Sequence, residues 1–339
     1  MRFELPEELA ATRPREPRDQ VRLLVARAAG MTHARFTDLG AFLGPGDLLV
    51  VNTSATLAAA VDGTRRDGRP VTVHFSTALA DGTWLVEVRP TENATGPVPD
   101  ASPGEGITLP AGVTVSLREP RGRLWRARVG VEATVADYLA RHGRPVTYSY
   151  VKGRWPLDAY QTVFAREPGS AEMPSAGRPF TADLVTELVS AGVAVAPITL
   201  HTGVSSLEEG EPPLPERYRV PHATARLVNL TRASGGRVVA VGTTVTRALE
   251  SVAHVDGWVG PRSGWTDLVL GPNRRARVVD GLITGWHAPG ASHLRLLEAV
   301  AGADLVARAY EDALEHRYLW HEFGDSCLLL PSRRSWRSG

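Results

Sequence analysis

The sequence predicts an α/β protein interrupted by a small all-β domain, and three observations predict it. From about Tyr160 onward, apolar strand-like runs alternate with helical stretches, which implies a mainly parallel sheet covered by helices. Between Val61 and Val131, several short β-rich runs follow one another with no helix between them, the texture of a small barrel or sandwich. Ahead of that block, DLLVVN (Asp47 to Asn52) is an apolar run of the same kind as the later strands. The β-rich block therefore reads as an insertion. Residues 1–60 and 150–339 form the α/β main domain, and 61–149 the inserted β-barrel domain.

In the insertion, PVTVHFST (Pro70 to Thr77) and TWLVEVRP (Thr83 to Pro90) are strands joined across Asp81-Gly82. Shorter strands are expected at Ile107 to Leu109, Val113 to Leu117 and Leu124 to Val129. Thr91 to Gly106, rich in Pro, Gly, Asn and Ser, is a loop. In the main domain Thr181 caps a helix running to Ser190. Leu184, Val185, Leu188 and Val189 lie on one face of it, and Gly192 is its stop. The strand Val193 to Leu200 ends at His201, and a helix over about Ala223 to Ala233 ends at Gly235-Gly236. Strands over Arg237 to Val241 and Arg277 to Ile283 follow, then helices over His293 to Val300 and Leu305 to His316.

With 339 residues the chain is long enough for one large domain or two ordinary ones. Hydrophobic content of 43% and charged content of 22% are those of a soluble globular protein, and no apolar run reaches the length of a membrane span. The acidic opening MRFELPEEL lacks a secretory apolar region, and the lone Cys327 can neither staple a fold nor build a cysteine zinc site. A cytoplasmic location is expected. Net charge is only +1, so there is no global basic excess of the kind that marks dedicated nucleic-acid binders. Basic clusters do occur at Arg118 to Arg128, at Arg274-Arg275-Ala276-Arg277 and in the tail Arg333-Arg334-Ser335-Trp336-Arg337. Each is either solvated surface or a phosphate-binding patch.

Ligands of α/β folds sit where apolar strands end. Four strand ends carry polar residues: Asn52-Thr53-Ser54, His201-Thr202-Gly203 with Ser205-Ser206, Gly242-Thr243-Thr244 with Arg247, and Thr284-Gly285-Trp286-His287. In VGTTVTR, Gly242 allows close backbone approach and either threonine is positioned to cap the next helix. Free amides there, with Arg247, suit a carboxylate or phosphate. The alternative is an ordinary capped turn with Arg247 paired to Glu250 or another acid. The segment is neither a Walker loop nor a dinucleotide fingerprint. His201 and His287 are each a general acid–base or a hydrogen-bonded structural histidine. Asp325 is a turn former or a site carboxylate, and Trp286 and Trp265 are either purine-stacking surfaces or core. No HxH or HExxH spacing points to a metal.

Taken together, the segments resemble the S-adenosylmethionine:tRNA ribosyltransferase-isomerases of queuosine biosynthesis. The resemblance rests on Phe3 to Val25 and Phe36 to Asn52, on YQTVFAREPGSAEMPSAGRPFT (Tyr160 to Thr181), and on ITLHTGVSS (Ile198 to Ser206). It continues through RVVAVGTTVTRALES (Arg237 to Ser251), VVDGLITGWHAPGASHL (Val278 to Leu294) and EFGDS (Glu322 to Ser326). It implies a barrel-like α/β main domain with an inserted small β-barrel, no metal, and a monomer or homodimer. S-adenosylmethionine is implied as co-substrate and the tRNA anticodon as partner. The implied reaction moves and rearranges the ribosyl part of S-adenosylmethionine onto a 7-aminomethyl-7-deazaguanine base. It releases adenine and methionine and leaves epoxyqueuosine. In that frame His201, His287 and Asp325 are catalytic candidates. Gly242, Thr243, Thr244, Arg247, Ser175, Gly177, Thr202, Gly203 and Trp286 would bind S-adenosylmethionine, and Asn52, Tyr160 and Gln161 the acceptor.

The sequence departs from the family pattern at polar positions. The usual Asn-Asp-Thr-Arg-Val-Ile-Pro-Ala-Arg reads Asn52 to Ala60 without either arginine, and Pro-Thr-Ala-Gly-Leu-His-Phe reads Pro174 to Phe180 with Pro179 in place of histidine. EPPLPERY (Glu211 to Tyr218) lacks the family's two histidines, Thr-Asn-Phe-His becomes Thr284 to His287, and Ser-Tyr-Gly-Asp becomes Glu322 to Asp325. Two alternatives to the tRNA reaction therefore stay open. One is a divergent S-adenosylmethionine-using paralogue with a small-molecule acceptor, the other a non-catalytic S-adenosylmethionine or nucleic-acid binding protein.

Overall fold

The computed structural model describes residues 3–91, 96–204 and 214–332. The tail Arg333 to Arg337, Ser205-Ser206 and the start of the Glu211 segment lie outside the described residues. In chain order, β1 (Arg22–Arg27) and β2 (Gly30–Arg35) form a hairpin, β3 (Leu48–Asn52) is the predicted apolar strand, and β4 (Ser54–Thr56) follows it. Next come β5 (Ala60–Arg65), β6 (Pro70–Ala78), β7 (Trp84–Pro90), β8 (Gly106–Thr108), β9 (Thr114–Arg121) and β10 (Leu124–Val129). After α1 (Val135–His142), β11 (Glu167–Ser170) pairs in parallel with β4. The chain continues through α2 (Ala182–Ser190), β12 (Ala194–Leu200), β13 (Glu216–Val220), α3 (His222–Ala233), β14 (Val238–Val241) and α4 (Thr243–Ser251). It finishes with β15 (Arg262–Thr266), β16 (Gly281–Thr284), α5 (Ser292–Ala301), α6 (Ala303–Glu315) and β17 (Ser326–Leu330).

The fold is α/β with an inserted small barrel. Strands β5 to β10 close on themselves in the order β10-β7-β6-β5-β8-β9, and the remaining strands except β4 and β11 build a nine-stranded sheet, β15-β13-β12-β3-β14-β16-β17-β1-β2. Its centre, β12-β3-β14-β16, is parallel, with Val50 facing Ala196 on one side and Ala240 on the other. The flanking pairs β12–β13, β13–β15, β16–β17 and β1–β2 are antiparallel, so the sheet is mixed where a mainly parallel one was expected.

The period of two along each strand splits the core. Leu48 and Val50 point to one face, where Val228, Val245, Leu297 and Val306 of the helices α3 to α6 cover them. Leu49 and Val51 point to the other, under Leu184 and Leu188 of α2 and the short turn carrying Phe36 and Leu39. Burial on both faces explains why these strands read as unbroken apolar runs. A third cluster fills the barrel, where Val73, Phe75, Val86 and Val115 meet Leu139 of α1. Among the described residues no helix is long and apolar enough to cross a membrane.

Three local expectations need correction. Thr181 caps α2 by accepting from the Leu184 amide at 3.2 Å, yet Val189 is exposed, because the helix buries a stripe only as wide as Leu184 and Leu188. The strand expected from Arg277 starts only at Gly281. The amides of Arg277, Val278 and Val279 turn away from the ladder to the buried Glu250 carboxylate, at 2.8, 2.8 and 3.1 Å. Glu250 is thus committed to backbone and does not pair with Arg247. Finally, Gly242, not a threonine, is the N-cap of α4, at φ 95° and without a side-chain cap.

Candidate active site

Because β3, β12, β14 and β16 run in parallel, their carboxyl ends emerge on one side of the sheet. A cavity of about 410 Å³ opens there, lined by Thr202 after β12, Gly242, Thr243 and Thr244 after β14, and Thr284 to His287 after β16. Tyr148 and Tyr150, which follow α1, close one side, and the segment Glu172 to Ala176 another. His321 and Glu322, ahead of β17, complete the wall. Three of the four polar strand ends picked from the sequence therefore meet in one place.

The N-terminus of α4 is the electropositive part of this wall. The Gly242 amide donates to the Ile283 carbonyl at 2.8 Å, which fixes α4 against β16. A side chain at Gly242 would meet Ala176 Cβ at 3.4 Å and would have to adopt a left-handed φ. With no capping side chain, the first-turn amides of α4 are left for water or a ligand. Arg247, one turn further on, lies between cavity and protein. It forms an ion pair with Glu216 and donates to the Thr266 carbonyl at 3.1 Å and the Leu268 carbonyl at 3.3 Å.

The opposite wall is acidic. Tyr148 donates its hydroxyl to Glu172 and Tyr150 to Glu322, the latter at 2.5 Å. Burial, and then its neighbouring carboxylates, push the Tyr148 hydroxyl well above its ordinary value; burial likewise raises the Glu322 carboxyl. The rings stack in a ladder, Tyr148 on Tyr150 at 5.7 Å and Tyr150 on His321 at 4.1 Å, each pair within 17° of parallel. Tyr160 also lines the cavity, and its buried hydroxyl has no hydrogen-bond partner.

Three imidazoles face this space. His287 Nε2 lies 3.0 Å from Thr284 Oγ1, and its ring stacks on His293 at 4.5 Å and 3°. The Thr284 hydroxyl donates to the Gly285 carbonyl at 3.1 Å. With the hydroxyl proton on that carbonyl, the His287 tautomer protonated at Nε2 donates to Thr284 and carries its lone pair on Nδ1. Burial, and then the charges of His293 and His321, hold His287 well below the usual histidine range. Burial and then Arg247 lower His293 to about 4, and burial lowers His321. All three are neutral at pH 7.

Several of the residues picked from the sequence are not in the wall. His201 accepts or donates at Nδ1 with Ser54 Oγ at 2.8 Å, inside a Ser54–Ser170 pair, and its ring lies so close to Gly169 that a Cβ there would be 2.3 Å away. It packs the β4–β11 junction instead. Asn52 is consumed by the ends of β12 and α4: it donates to the Leu200 carbonyl at 2.9 Å and to Thr244 Oγ1 at 3.3 Å, and accepts from the Leu200 amide at 3.0 Å. Gln161 accepts from the Thr56 amide at 3.0 Å and donates to the Thr56 carbonyl at 2.8 Å. Gly177 packs against Thr162, whereas Ser175 two residues earlier does reach the cavity. Gly203 lines an adjoining cavity of about 80 Å³ that shares Glu216, Arg247 and His293 with the larger one.

Asp325 is a turn former. It accepts from the Leu319 amide at 2.8 Å, the Arg22 amide at 2.8 Å and the Arg22 guanidinium at 3.0 Å. This folds residues 319–325 so that His321, at φ 72°, and Glu322 face the cavity. Trp286 contributes to the wall but is mostly core, packed on Tyr310, Trp320 and Tyr318 at 5.0 to 5.8 Å; Trp265 sits half-exposed on edge strand β15.

Reading the sequence by strand ends missed Tyr148, Tyr150, Glu172, His293, His321 and Glu322. None follows an apolar strand. Only the pairing of YSY with two glutamates far away in sequence would have signalled them.

The comparisons with known proteins identify the family of the chain. A family model described as queuosine biosynthesis protein matches residues 1–329. The chain belongs to that family. Among its relatives, the S-adenosylmethionine:tRNA ribosyltransferase-isomerase of Symbiobacterium thermophilum is 38% identical over 97% of this chain and 98% of its own length. That of Acaryochloris marina is 37% identical over 96% and 92%. The crystal structure of S-adenosylmethionine tRNA ribosyltransferase from Thermotoga maritima superposes with a TM-score of 0.55 at 28% identity, covering 97% of this chain and 99% of that one. The queuosine family is one of enzymes, and this chain is an enzyme of it.

Membership gives the departures a structural meaning. Ala55 and Ala60, which stand where the family's arginines are usual, are buried, and Ala59 and Ala60 pack in the barrel core. Arg178, beside Pro179, is also buried and ties the Ala159 and Arg15 carbonyls to Glu16. By contrast Glu322 and Gly285 face the cavity.

Proposed function

We propose that this enzyme transfers and isomerises the ribosyl portion of S-adenosylmethionine onto a 7-aminomethyl-7-deazaguanine base in tRNA, yielding epoxyqueuosine, adenine and methionine. The observation that carries this reading is the polarity of the cavity. Uncapped amides of α4 stand on one side and the carboxylates of Glu172 and Glu322 on the other. S-adenosylmethionine carries a carboxylate at one end and a sulfonium at its centre, and the acceptor base carries an aminomethyl cation. The α4 amides with Thr243 and Thr244 suit the carboxylate. Glu172 and Glu322 suit the cations, in a site whose low dielectric strengthens each contact.

The chemistry begins with loss of a proton from the ribose carbon next to the sulfonium. The C–H electron pair stays on carbon as an ylide, and the proton passes to a base. Neutral His287, with its Nδ1 lone pair free, is that base in this reading. Ser175, Thr202 and Trp286 shape the S-adenosylmethionine end, and Tyr160 offers its unpartnered hydroxyl to the acceptor. Residues 61–149 act as the inserted domain that brings α1 and the Tyr148–Tyr150 segment over the main domain, formed by 1–60 and 150–339.

Glu322 favours one second reading. It replaces the serine usual in the family and faces the cavity, where it would equally suit a cationic small-molecule acceptor. One assay separates the two: incubate the enzyme with S-adenosylmethionine and tRNA bearing the deazaguanine base, and follow adenine and the modified nucleoside by mass spectrometry. Adenine together with epoxyqueuosine is expected. Adenine without modified tRNA assigns a small-molecule acceptor, and no adenine from this mixture overturns the tRNA reading.

A further inference from the structure

We propose that His33, Asp312 and His316 form a surface site for a divalent transition-metal ion of the zinc type, outside the cavity. His33 lies on β2, the edge strand of the nine-stranded sheet, and Asp312 and His316 are four residues apart at the carboxyl end of α6. None of the three lines the cavity.

The geometry is that of a ligand set. One ligand atom from each residue lies within 4.8 Å of the other two. His33 Nε2 is 3.2 Å from Asp312 Oδ1, and His316 Nδ1 is 3.3 Å from the same oxygen. A tetrahedral zinc with bonds of ~2.0–2.1 Å holds its ligand atoms about 3.3 Å apart. Asp312 Oδ1 is shielded from solvent yet accepts no hydrogen bond, although two ring nitrogens face it. A carboxylate oxygen in that position gains from a cation between it and the imidazoles.

His33 Nδ1 is 2.9 Å from the hydroxyl of Tyr318, a fully buried residue held under the Arg22 guanidinium. This contact fixes the ring and directs Nε2 toward Asp312, the arrangement typical of metal-bound histidine. His316 Nδ1 also lies 2.9 Å from the Asp312 carbonyl oxygen. Binding through Nδ1 requires the tautomer with its proton on Nε2, so that contact gives way to the metal. Two imidazoles and one carboxylate leave a fourth position for water and favour zinc over magnesium or calcium. Bound there, the ion clips edge strand β2 to α6.

Zinc titration calorimetry on the full chain tests this, with His33→Ala, His316→Ala and Asp312→Asn alongside. One zinc per chain is expected, with affinity at least ~10-fold weaker in each variant. Tyr318→Phe, which keeps all three ligands, should weaken zinc by about tenfold through loss of ring orientation. Cobalt(II) should give tetrahedral ligand-field bands in the parent and lose them in His33→Ala. Equal zinc affinity in the parent and in all three ligand variants overturns the site, as does the absence of a one-to-one binding event in the parent. Circular dichroism of the variants, whose changed histidines are surface residues, separates loss of the metal from loss of the fold.

Discussion

Glu216 and Arg247 form an ion pair that joins β13 to the first turns of α4, with both side chains 12% exposed. Arg247 also donates to two backbone carbonyls, and Glu216 accepts from the Gly203 amide at 3.2 Å. Burial raises the Glu216 carboxyl, opposed by the Arg247 charge. Arg247 therefore braces β13 against α4, and in the proposed reading the α4 amides anchor the substrate carboxylate.

Removing one member of such a pair leaves the other buried and unpaired. Arg247→Ala should cost about 3–5 kcal/mol of stability, visible as a lower urea midpoint, whereas Glu216→Gln with Arg247→Gln should recover part of it. A folded Arg247→Ala enzyme of unchanged midpoint that loses ~1.5 kcal/mol or more of S-adenosylmethionine binding would restore the arginine as carboxylate anchor.

Tyr160 carries a buried hydroxyl without a partner, and burial and then Glu322 push it up to about 12. Tyr160→Phe should leave stability within about 1 kcal/mol of the parent, because no protein bond is lost. Its effect should fall on substrate: KM for tRNA rises several-fold while the thermal midpoint holds. A drop in the midpoint with unchanged KM assigns the hydroxyl to the fold instead.

His287 is already neutral well below pH 6.5 because it is buried. As the proton acceptor it should give a flat pH dependence of kcat/KM between about pH 6 and 8. His287→Ala should bind S-adenosylmethionine in calorimetry yet release no adenine. An ionisation near 6.5 in the kcat/KM profile of the parent enzyme would contradict the buried, neutral base.

His293 and Glu87 set the acid limit of stability. The folded His293 value of about 4 lies below its ordinary 6.5, so the unfolded chain binds the proton more readily. Its contribution is present above pH 6.5 and is lost as pH falls toward 4. Burial alone would raise Glu87, but the neighbouring His74, the hydrogen bond from Arg89 and the charges of Arg123 and Arg89 hold it at about 2. Its contribution is present above about pH 4.5 and is lost toward pH 2. Urea midpoints should therefore decline in two stages on acidification. His293→Gln should weaken the first, which the buried His287 shares, and Glu87→Gln should flatten the second while lowering stability at neutral pH by ~3 kcal/mol or more.

Much of the frame was legible because it obeys local rules. β3 and β14 are buried on both faces, so their apolar runs announce themselves. Thr181 caps α2 through its own side-chain hydroxyl, three residues from its partner amide, and the β-rich run from Pro70 to Val129 has no helical period to compete with it. Gly242 was marked by its place between an apolar strand and a helix start.

What the tertiary structure alone decided is which polar residue meets which. His201, Asn52 and Asp325 stand at loops that the sequence marks as strongly as His287, yet their side chains are taken up by Ser54, Leu200 and Arg22. The cavity instead draws on Tyr148, Tyr150, Glu172 and Glu322, and the proposed metal site on His33 with Asp312 and His316. The amino-acid sequence determined the family, the α/β frame and the inserted barrel, since patterning along the chain fixes what each segment buries. The site's membership depends on pairings between segments far apart in the chain, and those exist only once the sheet has closed the distance.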